Sequence, residues 1–154
     1  AQGKVLPDLL ASLLDHPYFS RPYPKSTGRE LFSLSWLQGR LKGNEKPEDV
    51  IRTLVLYTAQ TIFDATKQAA PAIHNLYICG GGIRNPVLMQ DLETLFSPDT
   101  KLHSTAKLHL DPQWVEAAAF AWLAACWCNQ VPSNPHHATG AHSHRILGSG
   151  HYGN

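Results

Sequence analysis

A helix-rich α/β layer fold with few strands is predicted by three features of the sequence. Its elements alternate helix, strand, helix, strand, helix; a short β-branched run stops at Gly80, Gly81 and Gly82; and the last long helix is built on alanine. Helical crossovers between consecutive strands make those strands parallel. Only two strands are marked, and a parallel sheet needs cover on both faces, so further strands are expected from residues upstream of Ala1.

The elements follow in chain order. Leu6, Leu9, Leu10, Leu13 and Leu14 recur at helical spacing, and Asp15-His16-Pro17 stops the helix. Pro22, Pro24 and Gly28 make residues 19–29 an ordered loop, and a short helix is expected within 31–41, broken by Gly43-Asn44. The strongest helix signal covers 47–69: Pro47 suits the first helical position, Glu48 and Asp49 complement the N-terminal dipole, and Lys67 sits near the far end. Its apolar face, drawn from Val50, Ile51, Leu54, Val55 and Ile62, is wide enough that the helix is expected to be largely buried.

Residues 73–79 read as a buried parallel strand, Asn85-Pro86 caps a helix to about Phe96, and 101–104 reads as the second strand. Asp111-Pro112 is expected to cap a third helix over 113–129, whose alanines permit close packing and whose Trp114, Trp122 and Trp127 are expected in the core. From Val131 onward Pro, Gly, Ser and His dominate without periodicity, which predicts a loop or tail. The chain accordingly divides into 1–46, an N-terminal helix with a Pro-rich loop; 47–130, an α/β core; and 131–154, a His/Gly-rich tail.

Bulk properties narrow the function. A length of 154 residues with 43% hydrophobic content supports one core or a piece of a larger one. A net charge of +1, from 13 basic and 12 acidic residues, provides no broad field for nucleic acid or an anionic membrane. Cys79, Cys126 and Cys128 lack zinc-ribbon spacing and fall in segments that read as buried, which fits a reducing, cytoplasmic setting. No apolar run approaches the roughly 20 residues of a membrane span. The start, Ala1-Gln2-Gly3, lacks an initiator Met and is expected to be internal to a longer polypeptide or processed.

The most informative stretch is Cys79-Gly80-Gly81-Gly82-Ile83-Arg84-Asn85-Pro86, which joins a strand to a capped helix with almost no side chains. Glycine permits positive φ and close approach, and the following helix N-terminus adds partial positive charge, so an anion or nucleotide can rest there. The turn stands at a strand's carboxyl end, where open α/β sheets bind ligands. A bare tight connection between strand and helix is the alternative. Gly-x-x-x-x-Gly-Lys-Ser/Thr is absent, and the three glycines are too compact for Gly-x-Gly-x-x-Gly, so neither the P-loop nor the dinucleotide reading stands.

The turn resembles the adenosine motif of the actin, heat-shock-70 and hexokinase superfamily. Three motifs carry a closer resemblance: Pro24-Lys25-Ser26-Thr27-Gly28-Arg29-Glu30, then Cys79-Gly80-Gly81-Gly82 with Asn85-Pro86, then Glu116-Ala117-Ala118-Ala119-Phe120-Ala121-Trp122. In order and spacing they are similar to the C-terminal part of the anhydro-N-acetylmuramic acid kinase family. The resemblance implies an actin-like ATPase (ribonuclease H-like) fold within a larger two-domain kinase. It also implies ATP with Mg²⁺ as cofactors, an anhydro-amino sugar as substrate, the enzyme's own N-terminal domain as partner, and a homodimer when complete. The implied reaction, part of peptidoglycan and amino-sugar recycling, opens the anhydro bridge with water and phosphorylates the sixth hydroxyl.

Residue by residue, the resemblance assigns Gly80, Gly81, Gly82 and Asn85 to the nucleotide and Glu116 to the sugar. Glu116 is expected on a buried face, where its carboxylate needs a hydrogen-bonding partner, with an ordinary solvated helix glutamate as the alternative. Lys25, Ser26, Thr27 and Arg29 match a segment near the cleft, with a structural turn as the alternative. The family's general-base Asp and its Gly-Thr-Ser-x-Asp-Gly phosphate turn belong to the N-terminal half, and neither motif occurs here, so no catalytic residue is assigned and the chain alone is expected to be inactive. A non-catalytic remnant or interaction module that keeps the fold is the competing reading. The tail histidines His136, His137, His142, His144 and His151 depart from the family pattern; a metal-binding tail ranks behind incidental composition, and no metal ligand is assigned.

Overall fold

The computed structural model describes residues 3–150, apart from the side chains of 137 and 138. The first helix, α1 (Pro7–Leu14), begins on a proline and buries Leu9 and Leu13. After a loop comes α2 (Leu34–Gln38), capped by Ser33, whose Oγ accepts from the Trp36 amide at 3.3 Å. The long helix α3 (Pro47–Ala69) has the sequence-predicted ends, with Pro47 in its first turn, Glu48 and Asp49 at the positive pole and Lys67 in the last turn. Strand β1 (Asn75–Ile78) leads through a 3-10 turn (Gly81–Arg84) into α4 (Pro86–Phe96), which returns to β2 (Lys101–Ser104). The strands are parallel, with Leu76 opposite Leu102 and Tyr77 opposite His103.

The core lies between α3, α4 and one face of this small sheet. Ala59, Leu92 and Phe96 are essentially inaccessible, and Phe63, Leu76, Ile78 and Leu102 pack around them. The Phe63 and Phe96 rings meet edge to face at 5.0 Å, a geometry aromatic pairs favour. Across the same helix pair Arg52 grips Asp91 as a fork, Nη1 to Oδ2 at 2.8 Å and Nη2 to Oδ1 at 2.7 Å. Such two-pronged pairing fixes both the separation and the register of the helices. On the opposite side of α3, the Leu6 amide donates to the buried Thr53 Oγ1 at 2.9 Å, which donates to the Asp49 carbonyl at 2.7 Å. This relay seats α1 along α3.

Beneath the loop that follows α1, His16, Tyr18, Phe19, Phe32, Trp36 and Tyr57 form a continuous aromatic cluster with ring centroids 5.1–6.3 Å apart. Burial there pushes the Tyr57 hydroxyl up to about 12, because a phenolate would be poorly solvated among rings, and the Arg40 guanidinium opposes the shift. The cluster explains the order of a Pro-rich loop that makes few backbone hydrogen bonds of its own.

Several sequence expectations are corrected. α3 is not largely buried: only Thr53 and Ala59 are, and Ile51 and Ile62 face solvent. The last long helix, α5 (Val115–Cys128), starts later than its alanine content predicts, because the Asp111 carboxylate accepts from the Gln113 amide at 2.8 Å in a tight turn before the helix instead of capping it. Of its tryptophans, Trp114 and Trp122 are 64% and 56% accessible, and only Trp127 is partly covered, by the tail at Gly148 and Gly150. Cys79 and Cys128 are exposed and Cys126 is buried; all three are free thiols. The tail contains a single helical turn, α6 (His136–Thr139). No helix among the described residues is long and apolar enough to cross a membrane.

Candidate functional site

The glycine turn stands at the carboxyl end of β1. Gly80 has φ 81° and ψ −177°, a conformation essentially restricted to glycine, so the residue type is dictated by the backbone path. A Cβ added at Gly80 or at Gly81 would meet nothing within 4 Å, whereas one on Gly82 would lie 3.4 Å from Leu88 Cδ2. The first two glycines therefore present open backbone to solvent, and the third rests on α4.

Not every amide of the turn is available. Gly80 N donates to the Pro112 carbonyl at 2.8 Å, Ile83 N to Gly80 O at 3.4 Å and Asn85 N to Gly82 O at 3.0 Å, so the expectation of freely exposed amides holds only for part of the turn. Asn85 Oδ1 accepts from Val87 N and Leu88 N at 3.1 and 3.2 Å, which starts α4, and the Asn85 side-chain NH₂ bonds to none of the described residues. Beside the turn, a shallow hollow of about 190 Å³ runs between α3 and the start of α4, lined by Ile51, Leu54, Val55, Thr58, Asn85 and Leu88. Sequence reading missed Ile51 and Leu88 as wall residues. The available signal was the i, i+4 spacing of Ile51 and Val55, which puts both on one stripe of α3.

Glu116 sits in the first turn of α5 and is exposed, which corrects the buried-face expectation in favour of its solvated-helix alternative; its carboxylate has no partner among the described residues. The Gly80–Pro112 hydrogen bond connects the glycine turn to the segment that leads into α5, four residues ahead of Glu116.

The 25–29 segment is placed elsewhere. Lys25 Nζ donates to the Phe19 carbonyl at 2.8 Å and lies over the rings of Tyr18 and Tyr23 at 5.2 and 5.0 Å. It lines a cleft of about 350 Å³ between the loop and α3, with Leu14, Ile62 and Asp64 on the other walls. Arg29 borders a different, open depression with Glu30, Phe32 and Leu34. Thr27 Oγ1 turns back to the Gly28 carbonyl at 3.3 Å, and Ser26 is exposed. Neither depression includes Gly80, Gly81, Gly82, Asn85 or Glu116. In the tail, His136 and His144 meet ring to ring at 4.1 Å, and no group of three or more potential metal-ligating side chains occurs among the described residues; His151 and the His137 side chain lie outside them.

A mixed helix–strand protein with a small parallel sheet and a glycine turn at a strand's carboxyl end is the class that these observations define. A family model described as anhydro-N-acetylmuramic acid kinase matches residues 1–153, and the chain belongs to that family. A protein of Neisseria meningitidis named anhydro-N-acetylmuramic acid kinase is 64% identical over 99% of this chain and 41% of its own length. Proteins of the same name from Idiomarina loihiensis and Pseudomonas syringae pv. tomato are 50% and 47% identical over 96% and 97% of this chain, and 40% and 41% of their own lengths. The chain thus spans about two fifths of the curated relatives it matches.

Proposed function

We propose that this chain supplies the nucleotide-binding turn of an ATP-dependent sugar kinase with an actin-like fold, and that the complete enzyme acts on anhydro-N-acetylmuramic acid. Water opens the anhydro bridge, the freed hydroxyl at carbon six takes the γ-phosphoryl group, and ADP and N-acetylmuramic acid 6-phosphate leave. The single observation that carries the reading is the bare backbone of Gly80 and Gly81 at the end of β1, with space around both and the amino end of α4 immediately beyond.

Within that reading each residue has a restricted task. Gly80 and Gly81 allow the planar base and ribose to lie against the main chain, Gly82 sets the turn on Leu88, and the Asn85 side-chain NH₂ donates to the nucleotide. The hollow formed by Ile51, Leu54 and Leu88 offers an apolar wall to the same ligand. Glu116, without a partner among the described residues, accepts from sugar hydroxyls. Mg²⁺ enters with the ATP phosphates, and no residue of this chain is assigned to it. The general base and the first phosphate turn come from the remaining part of the polypeptide, and the complete enzyme is a homodimer. Lys25, Ser26, Thr27 and Arg29 border the cleft only once that part is in place.

The test is Gly81→Val in a full-length chimera, in which this chain replaces the aligned stretch of the Neisseria meningitidis relative. A Cβ at this position meets nothing within 4 Å, so the melting temperature should hold while ATP affinity, measured by calorimetry, falls at least about tenfold through occlusion of the turn. Unchanged ATP affinity in the folded variant would remove the nucleotide from this turn. The isolated chain is expected to show weak nucleotide binding at most and no turnover.

A further inference from the structure

A clasp of hydrogen bonds closes the histidine-bearing tail on itself. The Ser133 amide donates to the Arg145 carbonyl at 3.0 Å, Asn134 Nδ2 donates to the Ser143 carbonyl at 2.8 Å, and Asn134 Oδ1 accepts from the Arg145 amide at 2.6 Å. Asn134 thus uses both ends of its side-chain amide on the two residues that flank His144. Between the arms runs α6, braced by Thr139 N on the Pro135 carbonyl and Gly140 N on the His136 carbonyl, each at 3.0 Å. Gly140, at φ 72°, turns the chain back. His136 stands two residues beyond one arm of the clasp, and His144 lies within the other.

These constraints bring the two imidazoles together. Their centroids are 4.1 Å apart with an interplanar angle of 74°, closer than the 5.0 Å of Phe63 and Phe96 in the core. The core pair is pressed together by buried apolar neighbours, whereas His144 is exposed and His136 half-buried. Burial does not drive two polar rings together at a wet surface, so the clasp sets their separation. Imidazole nitrogen is a preferred ligand of zinc, nickel and copper, and it binds zinc at about 2.0–2.1 Å. Two rings sharing one such ion have centroids roughly 4.5–5.2 Å apart, between square and tetrahedral angles, so an opening of about 1 Å admits the ion.

We propose that His136 and His144 form a two-histidine site for a divalent late transition metal of the zinc, nickel and copper class. The described residues add no third ligand, so the remaining coordination positions are open to water and the ion is exchangeable. Mg²⁺, which takes oxygen ligands, is not its occupant. The ion locks a clasp that has neighbours on two sides. Gly140 sits so close to the Pro-rich loop that a Cβ on it would lie 3.1 Å from Pro24 Cγ, and Gly148 and Gly150 pass over the Trp127 indole. Metal binding therefore fixes the tail between that loop and α5. None of these residues belongs to the glycine turn, so the site stands apart from the nucleotide reading.

Calorimetry with Zn²⁺, and with Mg²⁺ as the control cation, tests the site in the full-length chimera, whose remaining part is constant across the variants. His136→Ala and His144→Ala should each weaken zinc binding at least about tenfold, because a chelating pair loses one of its ligands. Asn134→Ala keeps every histidine and frees the arms, so it should cost about tenfold through lost positioning. His142→Ala, exposed and outside the pair, should leave the affinity unchanged, and Mg²⁺ should give no heat that depends on the histidines. Zinc uptake undiminished in the double variant of His136 and His144 overturns the proposal and moves the ion to other groups, such as the exposed thiols of Cys79 and Cys128. An equal loss from His142→Ala, or none from Asn134→Ala, overturns it by showing a loose run of histidines instead of a built pair. Absence of zinc uptake overturns it as well and leaves the ring contact as aromatic packing alone.

Discussion

Helices α4 and α5 are similar in length, 11 and 14 residues, and α5 is the more apolar of the two, yet their fates are opposite. α4 lies against α3 and the sheet and hides Leu92 and Phe96 at 1% accessibility each, whereas α5 leaves Phe120 and Trp122 more than half exposed. Apolar content does not make a core; a partner surface does. The first helix finds its partner in α3, held at a fixed distance by the Arg52–Asp91 fork, and the second is met by the tail at Trp127.

The sharpest break of this contrast is Phe96→Ala. It removes the largest fully buried side chain and should cost about 3–5 kcal/mol in urea unfolding followed by circular dichroism. A loss under about 1 kcal/mol would mean that α4 is no better packed than α5. Next comes Arg52→Met, which strands a mostly buried Asp91 carboxylate and should cost about 2–3 kcal/mol, with Asp91→Leu added on top restoring much of it. No recovery in the double variant would mark the pair as more than a clamp between helices.

A pH series reads the packed side without disturbing it. The folded Tyr57 hydroxyl titrates near 12 against an ordinary 10, so its contribution is complete below pH 10 and is lost as pH rises through 12. Stability should therefore fall across that window, and Tyr57→Phe should flatten the fall in a denaturation series at each pH. The smallest effect is expected at Trp122→Ala: in the isolated chain its unfolding free energy should move by less than about 0.5 kcal/mol, because little of the ring is in contact. A large loss there would show that α5 is already packed in this chain.

How far the sequence was legible follows the same division. The ends of α3 and α4 and the position of β2 were readable because their signals are local: prolines in the first turn, the Asn85 cap, and a Ser-Pro turn before the strand. Asp111 misled because the same side chain that caps a helix also closes a two-residue turn, and only the surrounding backbone decides between them. The exposure of Trp114, Trp122 and Glu116 was not readable, since burial is a property of neighbours and not of a residue's own type. The glycine turn was legible as open backbone. Its 3-10 winding and the commitment of the Gly80 amide to Pro112 were not, because that hydrogen bond joins residues far apart in sequence.

That single bond between Gly80 and Pro112 has a mechanical meaning. It ties the glycine turn to the residues that lead into α5, so a shift of either is transmitted to the other without any side chain as intermediary. Trimming a neighbouring side chain would leave that link in place, whereas Gly80→Pro, which removes the donor N–H, would cut it.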